Sequence, residues 1–103
     1  MKTIDILIAA KALISKPNGF GKFESARTKA GIVVGPRHPE ACRFCTFGAI
    51  ERASGYSFHD LQEATFSMID VMQDITDFND NHTKKEVLNK FDEAIANESE
   101  KEN

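Results

Sequence analysis

The sequence predicts a mainly helical α+β domain: about four helices in one small bundle-like unit, with an irregular loop or short β-hairpin between the first two. Three observations predict this class. Four segments carry apolar residues at helical spacing. Four glycines and two prolines interrupt residues 18–41. The length of 103 residues, with 41% hydrophobic and 28% charged residues, is that of one globular domain. We place this domain at residues 1–97 and expect a polar C-terminal tail over 98–103.

The first helix is predicted from Thr3 to Ser15, with a broad apolar stripe along one side. It must end before Pro17, because the residue before a proline disfavours helical backbone. Asn18-Gly19 then indicates a turn. Further on, residues 30–34 contain Gly-Ile-Val-Val, the one convincing strand pattern. This strand could pair with residues 23–28 as a hairpin, or the whole region could be an irregular loop.

Three more helices follow in the prediction. The second covers residues 39–54, starts near Glu40 and stops at Gly55, a residue typical of the position after a helix. The third begins with Ser57 as its N-cap and runs past Ile69 with one apolar face. A polar turn over 77–82 separates it from the last helix. That helix opens with a capping box, in which Thr83 is the N-cap and Glu86 reaches back to it.

Charge divides the chain into two unequal halves. Residues 1–56 carry nine Lys or Arg and four Asp or Glu, whereas residues 57–103 carry four Lys and twelve Asp or Glu. The net charges are therefore +5 and −8, which sum to the overall −3. The two halves could neutralise each other in the fold, or they could present two interaction faces. No apolar run approaches the ~20 residues of a membrane-spanning helix, so we expect a cytoplasmic protein without a membrane partner.

A protein-binding surface is the first candidate site. Acidic residues recur along the polar side of the third predicted helix, where they could meet a basic protein surface or simply face solvent. These residues are Glu63, Asp70, Asp74 and Asp77.

A phosphate or nucleotide site is the second candidate. The glycine-containing loop region mixes cations with aromatic rings, the combination by which small proteins hold nucleotides or single strands. The same aromatic residues could instead anchor the loop to the core. The candidate residues are Phe20, Lys22, Phe23, Arg27, Lys29 and Arg37.

A structural zinc site is the third candidate. Two thiolates spaced as C-x-x-C and two imidazoles could complete a tetrahedral site, although a small buried cysteine is also a common core residue. The four residues are His38, Cys42, Cys45 and His59. Our main expectation is a protein without a cofactor, with zinc as the alternative.

Short motifs across most of the chain resemble an uncharacterised domain family found in phages and bacteria. Its members combine an aromatic-Cys-x-x-Gly-Ala-Leu/Ile segment with a late Trp/Phe-Asn-Asp motif. Here the first pattern is Phe44-Cys45-Thr46-Phe47-Gly48-Ala49-Ile50 and the second is Phe78-Asn79-Asp80. The resemblance carries no activity with it. It implies that four residues matter together, either by fixing the bundle's shape or by building a small polar pocket against the loop 19–37. They are Cys45, Gly48, Asn79 and Asp80.

These observations lead to one functional hypothesis and two alternatives. With no nucleophile-elbow or paired-carboxylate arrangement in the sequence, we expect a non-enzymatic protein. The resemblance implies a phage or mobile-element accessory protein. It would act in the host cytoplasm by binding a host protein, in host takeover or anti-defence. The alternatives are a binder of nucleotides, nucleic acid or another phosphate-bearing ligand through residues 16–43, and a zinc-stabilised module. A homodimer is also compatible with so small a chain.

Overall fold

The computed structural model describes residues 1–55 and 57–102, which form five helices and a small antiparallel sheet. The predicted mainly helical class is confirmed, with one helix more than expected. In chain order the elements are α1 (Thr3–Ser15), β1 (Ala26–Arg27), β2 (Val33–Val34), β3 (Arg43–Phe44), α2 (Thr46–Ser54), α3 (Phe58–Met72), α4 (Ile75–Asn81) and α5 (Lys84–Lys101).

Helix α1 is the centre of the fold, because α2, α3, α5 and β3 all contact it. Its residues Ile6, Leu7 and Ile14 are completely buried, as are Met68 of α3 and Phe91 of α5. Burying such side chains is the main favourable term in folding, at ~1.5–3 kcal/mol for each large apolar group. The other helices therefore cover one side of α1, whereas Ile8, which belongs to the apolar stripe predicted for this helix, is 49% exposed.

The predicted hairpin is present, and a third strand extends it. In β1, Ala26 lies opposite Val34 of β2 on one side and Phe44 of β3 on the other, so the strand order is β2-β1-β3. Phe20 adds an isolated parallel bridge to Phe44. Each strand has only two residues, and such a small sheet depends on the helices that cover it.

The prediction that the second helix starts near Glu40 is wrong. Residues 38–41 form a turn, β3 follows, and α2 begins only at Thr46. The backbone N–H of Cys42 donates to the Arg27 carbonyl, and Arg43 and Phe44 pair with β1. Pairing with a neighbouring strand thus overrides the local helical pattern, as tertiary context commonly does.

The third predicted helix is also shorter than expected. It ends at Met72, and Gln73 takes a positive φ of 68° that stops the helix. Asp74 then caps a separate helix, its side chain accepting a hydrogen bond from the Asp77 N–H at 2.9 Å. The polar turn predicted over 77–82 is therefore mostly helix α4.

Several predicted boundaries are confirmed. Helix α1 has the expected limits, Ser57 caps α3, and Gly55 follows α2 with a φ of 67°. The capping box of α5 is complete, with both hydrogen bonds between Thr83 and Glu86. Over residues 98–103, placed in a polar tail by the sequence, α5 stays helical through Lys101, and Asn103 lies outside the described residues. None of the helices in residues 1–55 and 57–102 has both the length and the apolar character to cross a bilayer.

Candidate functional site

Asn79 of α4 connects three separate parts of the chain. Its Oδ1 accepts hydrogen bonds from the backbone N–H and the hydroxyl of Thr46, both at 2.8 Å. Its Nδ2 donates to the carbonyl of Gly21 at 3.0 Å and to Asp80 Oδ1 at 3.1 Å. Asn79 and Thr46 are both buried, where an unpaired polar group would be costly. One amide therefore fixes α4 against the start of α2 and the loop before β1.

Gly48 lets α2 approach the segment before β1. A β-carbon at this position would lie 1.9 Å from the carbonyl oxygen of Ser25, a distance that two such atoms cannot share. The same carbonyl accepts a hydrogen bond from the Cys45 N–H at 3.2 Å. Glycine is thus required where the helix and the loop touch.

These contacts surround a small pocket of about 110 Å³ between the loop, α2 and α4. Three of the four motif residues, Cys45, Asn79 and Asp80, line this pocket. The fourth, Gly48, allows α2 to lie close to Ser25 in its wall. The resemblance offered two roles for the motif, a fixed bundle shape or a polar pocket, and the structure contains both features. The lining residues are Phe23, Glu24, Ser25, Cys45, Phe47, Ile75, Thr76, Asn79 and Asp80.

Cys45 is the N-cap of α2, and its Sγ accepts a hydrogen bond from the Gly48 N–H at 3.3 Å. Burial raises the pKa of the Cys45 thiol, and the negative charge of Asp80 acts in the same direction; the Gly48 N–H opposes both. The net result is a thiol held protonated at neutral pH. Cys45 is therefore suited to a structural role rather than to attack as a thiolate.

An apolar surface lies beside this pocket. Three neighbouring depressions all include Phe47 in their walls, the pocket being one of them. On α3 the side chains of Phe58, Phe66 and Ile69 are 73%, 53% and 41% exposed. We call this surface the Phe47 face, and it consists of Phe47, Phe58, Leu61, Thr65, Phe66 and Ile69.

Sequence reasoning missed this face. The third helix was expected to have one apolar face, yet Ile69 is exposed, as are Phe58 and Phe66, and Phe47 of α2 is half-buried. A signal was present, since Phe58 and Phe66 are eight residues apart and lie outside the stripe of α3 that includes Ala64 and Met68. Large apolar residues beyond one buried stripe indicate a second apolar side of a helix.

The structure separates the four acidic residues predicted to bind a protein. Glu63 and Asp70 are exposed on α3, and both lie near enough to Lys101 to contribute to the rise of its pKa, for which Glu98 is the main cause. Asp74 and Asp77 belong to the first turn of α4, where Asp74 acts as a cap. They do not form one stripe, because α3 ends between Asp70 and Asp74.

The six residues of the phosphate alternative have different surroundings. Phe20 packs against the core. The Arg27 guanidinium donates to the Gly31 carbonyl inside the hairpin, and Arg37 forms an ion pair with Glu51. Phosphate binding through this set stays a prediction. The remaining residues, Lys22, Phe23 and Lys29, lie in the loop and at the hairpin turn.

The four residues of the zinc alternative occupy different surroundings. Cys42 is exposed and Cys45 is half-buried. The His38 ring accepts a hydrogen bond from the Glu40 N–H, while His59 lies near Asp60 and Glu63 at the start of α3. Within residues 1–55 and 57–102, no three His, Cys, Asp or Glu side chains are grouped to hold a metal ion.

The fold and the Asn79 contacts define a small, mainly helical domain with a three-stranded sheet. The chain matches the family of unknown function DUF6197 over residues 1–97 and belongs to that family. This confirms the resemblance to an uncharacterised domain family. Neither a curated protein nor a solved structure matches the chain.

Proposed function

We propose that this protein is a non-enzymatic binding module whose Phe47 face docks on another protein. The observation that carries the proposal is the exposure of Phe58, Phe66 and Ile69 around Phe47. Single exposed apolar residues are ordinary, but a contiguous apolar surface with polar surroundings is typical of an interaction site. Aromatic residues in particular are enriched where protein surfaces meet.

The negative charges near the Phe47 face favour a partner with a basic surface. Glu63 and Asp70 are exposed on the same helix as Phe66, and Asp74 lines the depression that includes Ile69. An apolar centre with acidic surroundings fits a partner surface that is apolar in the middle and basic at the edge, because complementary charge guides docking. The acidic residues predicted from the sequence would thus border the contact rather than form its centre.

The biological setting that we propose is taken from the sequence resemblance. We propose a phage or mobile-element accessory role, in which the bound partner is a host protein and the outcome is host takeover or anti-defence. The partner's surface chemistry is the part of this proposal that the Phe47 face supports.

The test compares the wild-type protein with two variants. The Phe58→Ser/Phe66→Ser variant removes the centre of the face, and Ile32→Ser is its control, since Ile32 is 62% exposed in the hairpin outside the face. Proteins captured by the wild type from cells would be purified and their affinities measured for all three forms. We expect at least a tenfold loss for the double variant and no change for Ile32→Ser.

Two results would contradict this function. One is a purified partner whose affinity is the same for the wild type and the double variant. The other is a wild-type dimer, detected by native mass spectrometry, that dissociates in the double variant; the face would then be covered by a second copy of the chain.

A further inference from the structure

The geometry points to the pocket beside the Phe47 face as a receptor for one Lys or Arg side chain of the bound protein. This inference rests on the proposed function, and it identifies the chemical feature that the partner must carry. Four properties of the pocket support it: its charge, its aromatic walls, the way its carboxylate is held and its size.

The charge of the pocket is entirely negative. Glu24 and Asp80 both line it, and Asp74 lines the adjoining depression. Among the described residues that line the three depressions, none is Lys, Arg or His. Glu24 and Asp80 also form no ion pair within residues 1–55 and 57–102. A cation supplied from outside would therefore meet two carboxylates that are not already ion-paired.

Aromatic rings form part of the pocket's walls. Phe47 is shared with the apolar face, and Phe23 is 76% exposed. A cation over the face of an aromatic ring is attracted by the ring's negative π-surface, and guanidinium groups also stack flat on such rings. Carboxylates together with aromatic walls are suited to a basic side chain, whose alkyl stem is apolar and whose head is charged.

Asp80 is fixed in place before any partner arrives. Its Oδ1 accepts hydrogen bonds from the Phe23 N–H at 2.9 Å and from Asn79 Nδ2 at 3.1 Å. Its Oδ2 has no hydrogen bond among the described residues. Phe23 meanwhile has a φ of 72°, an uncommon conformation for a bulky residue. The bond to Asp80 holds this backbone, so the ring and the carboxylate are positioned together.

The size of the pocket selects a small group. Its volume is about 110 Å³. This space is on the scale of a single ammonium or guanidinium head. Phe47 belongs both to the pocket and to the Phe47 face. A partner segment lying on α3 can therefore extend the stem of its Lys or Arg side chain into the pocket.

The test selects binding peptides without needing the natural partner. A displayed library of random 16-residue peptides would be selected on the wild-type protein and counter-selected on the Phe58→Ser/Phe66→Ser variant. Affinities of the selected peptides would then be measured for Glu24→Gln, Asp80→Asn and the control Asp5→Asn, which removes an exposed charge from α1. Asp80→Asn keeps an oxygen that can accept the Phe23 and Asn79 bonds, and Glu24→Gln alters an exposed side chain.

We expect the selected peptides to share a Lys or Arg at one position. Replacing that residue with Gln, or the protein's Asp80 with Asn, should each weaken binding at least fivefold. The two changes together should cost clearly less than their product, because both remove the same interaction. Asp5→Asn should have no effect.

Two outcomes separate this inference from the proposed function. Peptides that need Phe58 and Phe66 but bind Glu24→Gln and Asp80→Asn as tightly as wild type would overturn the pocket and leave the face. A selection that yields no peptide dependent on Phe58 and Phe66 would overturn both.

Discussion

Asn79 is a polar residue that joins distant parts of the fold through its hydrogen bonds. Its amide serves two donors on Thr46 and one carbonyl at Gly21. Backbone groups at the first turn of a helix have no partner within that helix, and Thr46 opens α2. Asn79 supplies the missing acceptor from a helix that begins about thirty residues later.

Replacing Asn79 with Ala should lower the free energy of unfolding by about 3 kcal/mol, since the buried groups left unpaired each cost ~1–3 kcal/mol. Urea denaturation followed by circular dichroism would measure this loss. Asn81→Ala is the matched control, because Asn81 is exposed and bonds only to Asp77 within α4. Equal stability losses in the two variants would contradict the role given to Asn79.

The two cysteines should differ in their reaction with iodoacetamide. Burial raises the pKa of the Cys45 thiol, so a smaller fraction of it is the reactive thiolate at a given pH than for an ordinary thiol. Cys42 is exposed. At pH 8 we expect Cys42 to be alkylated at least tenfold faster, measured by peptide mass spectrometry. Faster modification of Cys45 in the folded protein would be the contrary result.

The sequence predicted which residues of the candidate site belong together, but not what they do. The family motif singled out Cys45, Gly48, Asn79 and Asp80, and all four lie at one junction. Thr46 was missed because no local pattern shows that its N–H will be capped from a distant helix. Long-range hydrogen bonds leave no periodic trace in a sequence.

Among the secondary-structure elements, those defined by local chemistry were predicted well. The limits of α1, the Ser57 cap and the Thr83 capping box depend on neighbouring residues alone. The start of α2 depends on β3 pairing with β1, and the end of α3 depends on a single positive φ at Gln73. Both require knowledge of distant contacts or of one backbone torsion, which apolar periodicity cannot supply.

Gly48→Ala tests the closest approach between two elements. Alanine normally stabilises a helix interior by about 1 kcal/mol relative to glycine. Here the added methyl would collide with the Ser25 carbonyl, and overpacking of this kind typically costs ~1–3 kcal/mol. We therefore expect a lower melting temperature. Gly35→Ala is the control, because a β-carbon there meets nothing within 4 Å, and a stabilised Gly48→Ala variant would contradict the close contact between α2 and Ser25.

For the molecule as a whole, part of the charge division is satisfied internally. The N-terminal amine pairs with Asp60, Lys2 with Glu102 and Lys11 with Asp92. Each pair joins α1 or the residues before it to the acidic second half. Exposed pairs of this kind contribute little stability, so the buried apolar residues hold the helices together. Glu24 and Asp80, beside the Phe47 face, form no ion pair within residues 1–55 and 57–102.

Two phenylalanines should therefore respond differently to the same change. Phe91 of α5 is fully buried, and its replacement with Ala should cost ~3–5 kcal/mol, a large share of the roughly 5–15 kcal/mol typical of a domain. Phe66 is 53% exposed, and Phe66→Ala should change stability by less than about 1 kcal/mol. Thermal unfolding would compare them. A Phe66→Ala variant as unstable as Phe91→Ala would mean that the face supports the fold.

The ion pair between Lys2 and Glu102, whose charged atoms are 3.7 Å apart, brings the two extremities of the described chain side by side. A linker of a few residues could join them, converting the polypeptide into a closed ring without stretching α1 or α5. New ends could then be opened at the exposed Lys29-Ala30 turn of the hairpin. Such a circular permutant should retain the helical circular dichroism spectrum, because every helix would keep its neighbours while the order of synthesis changed.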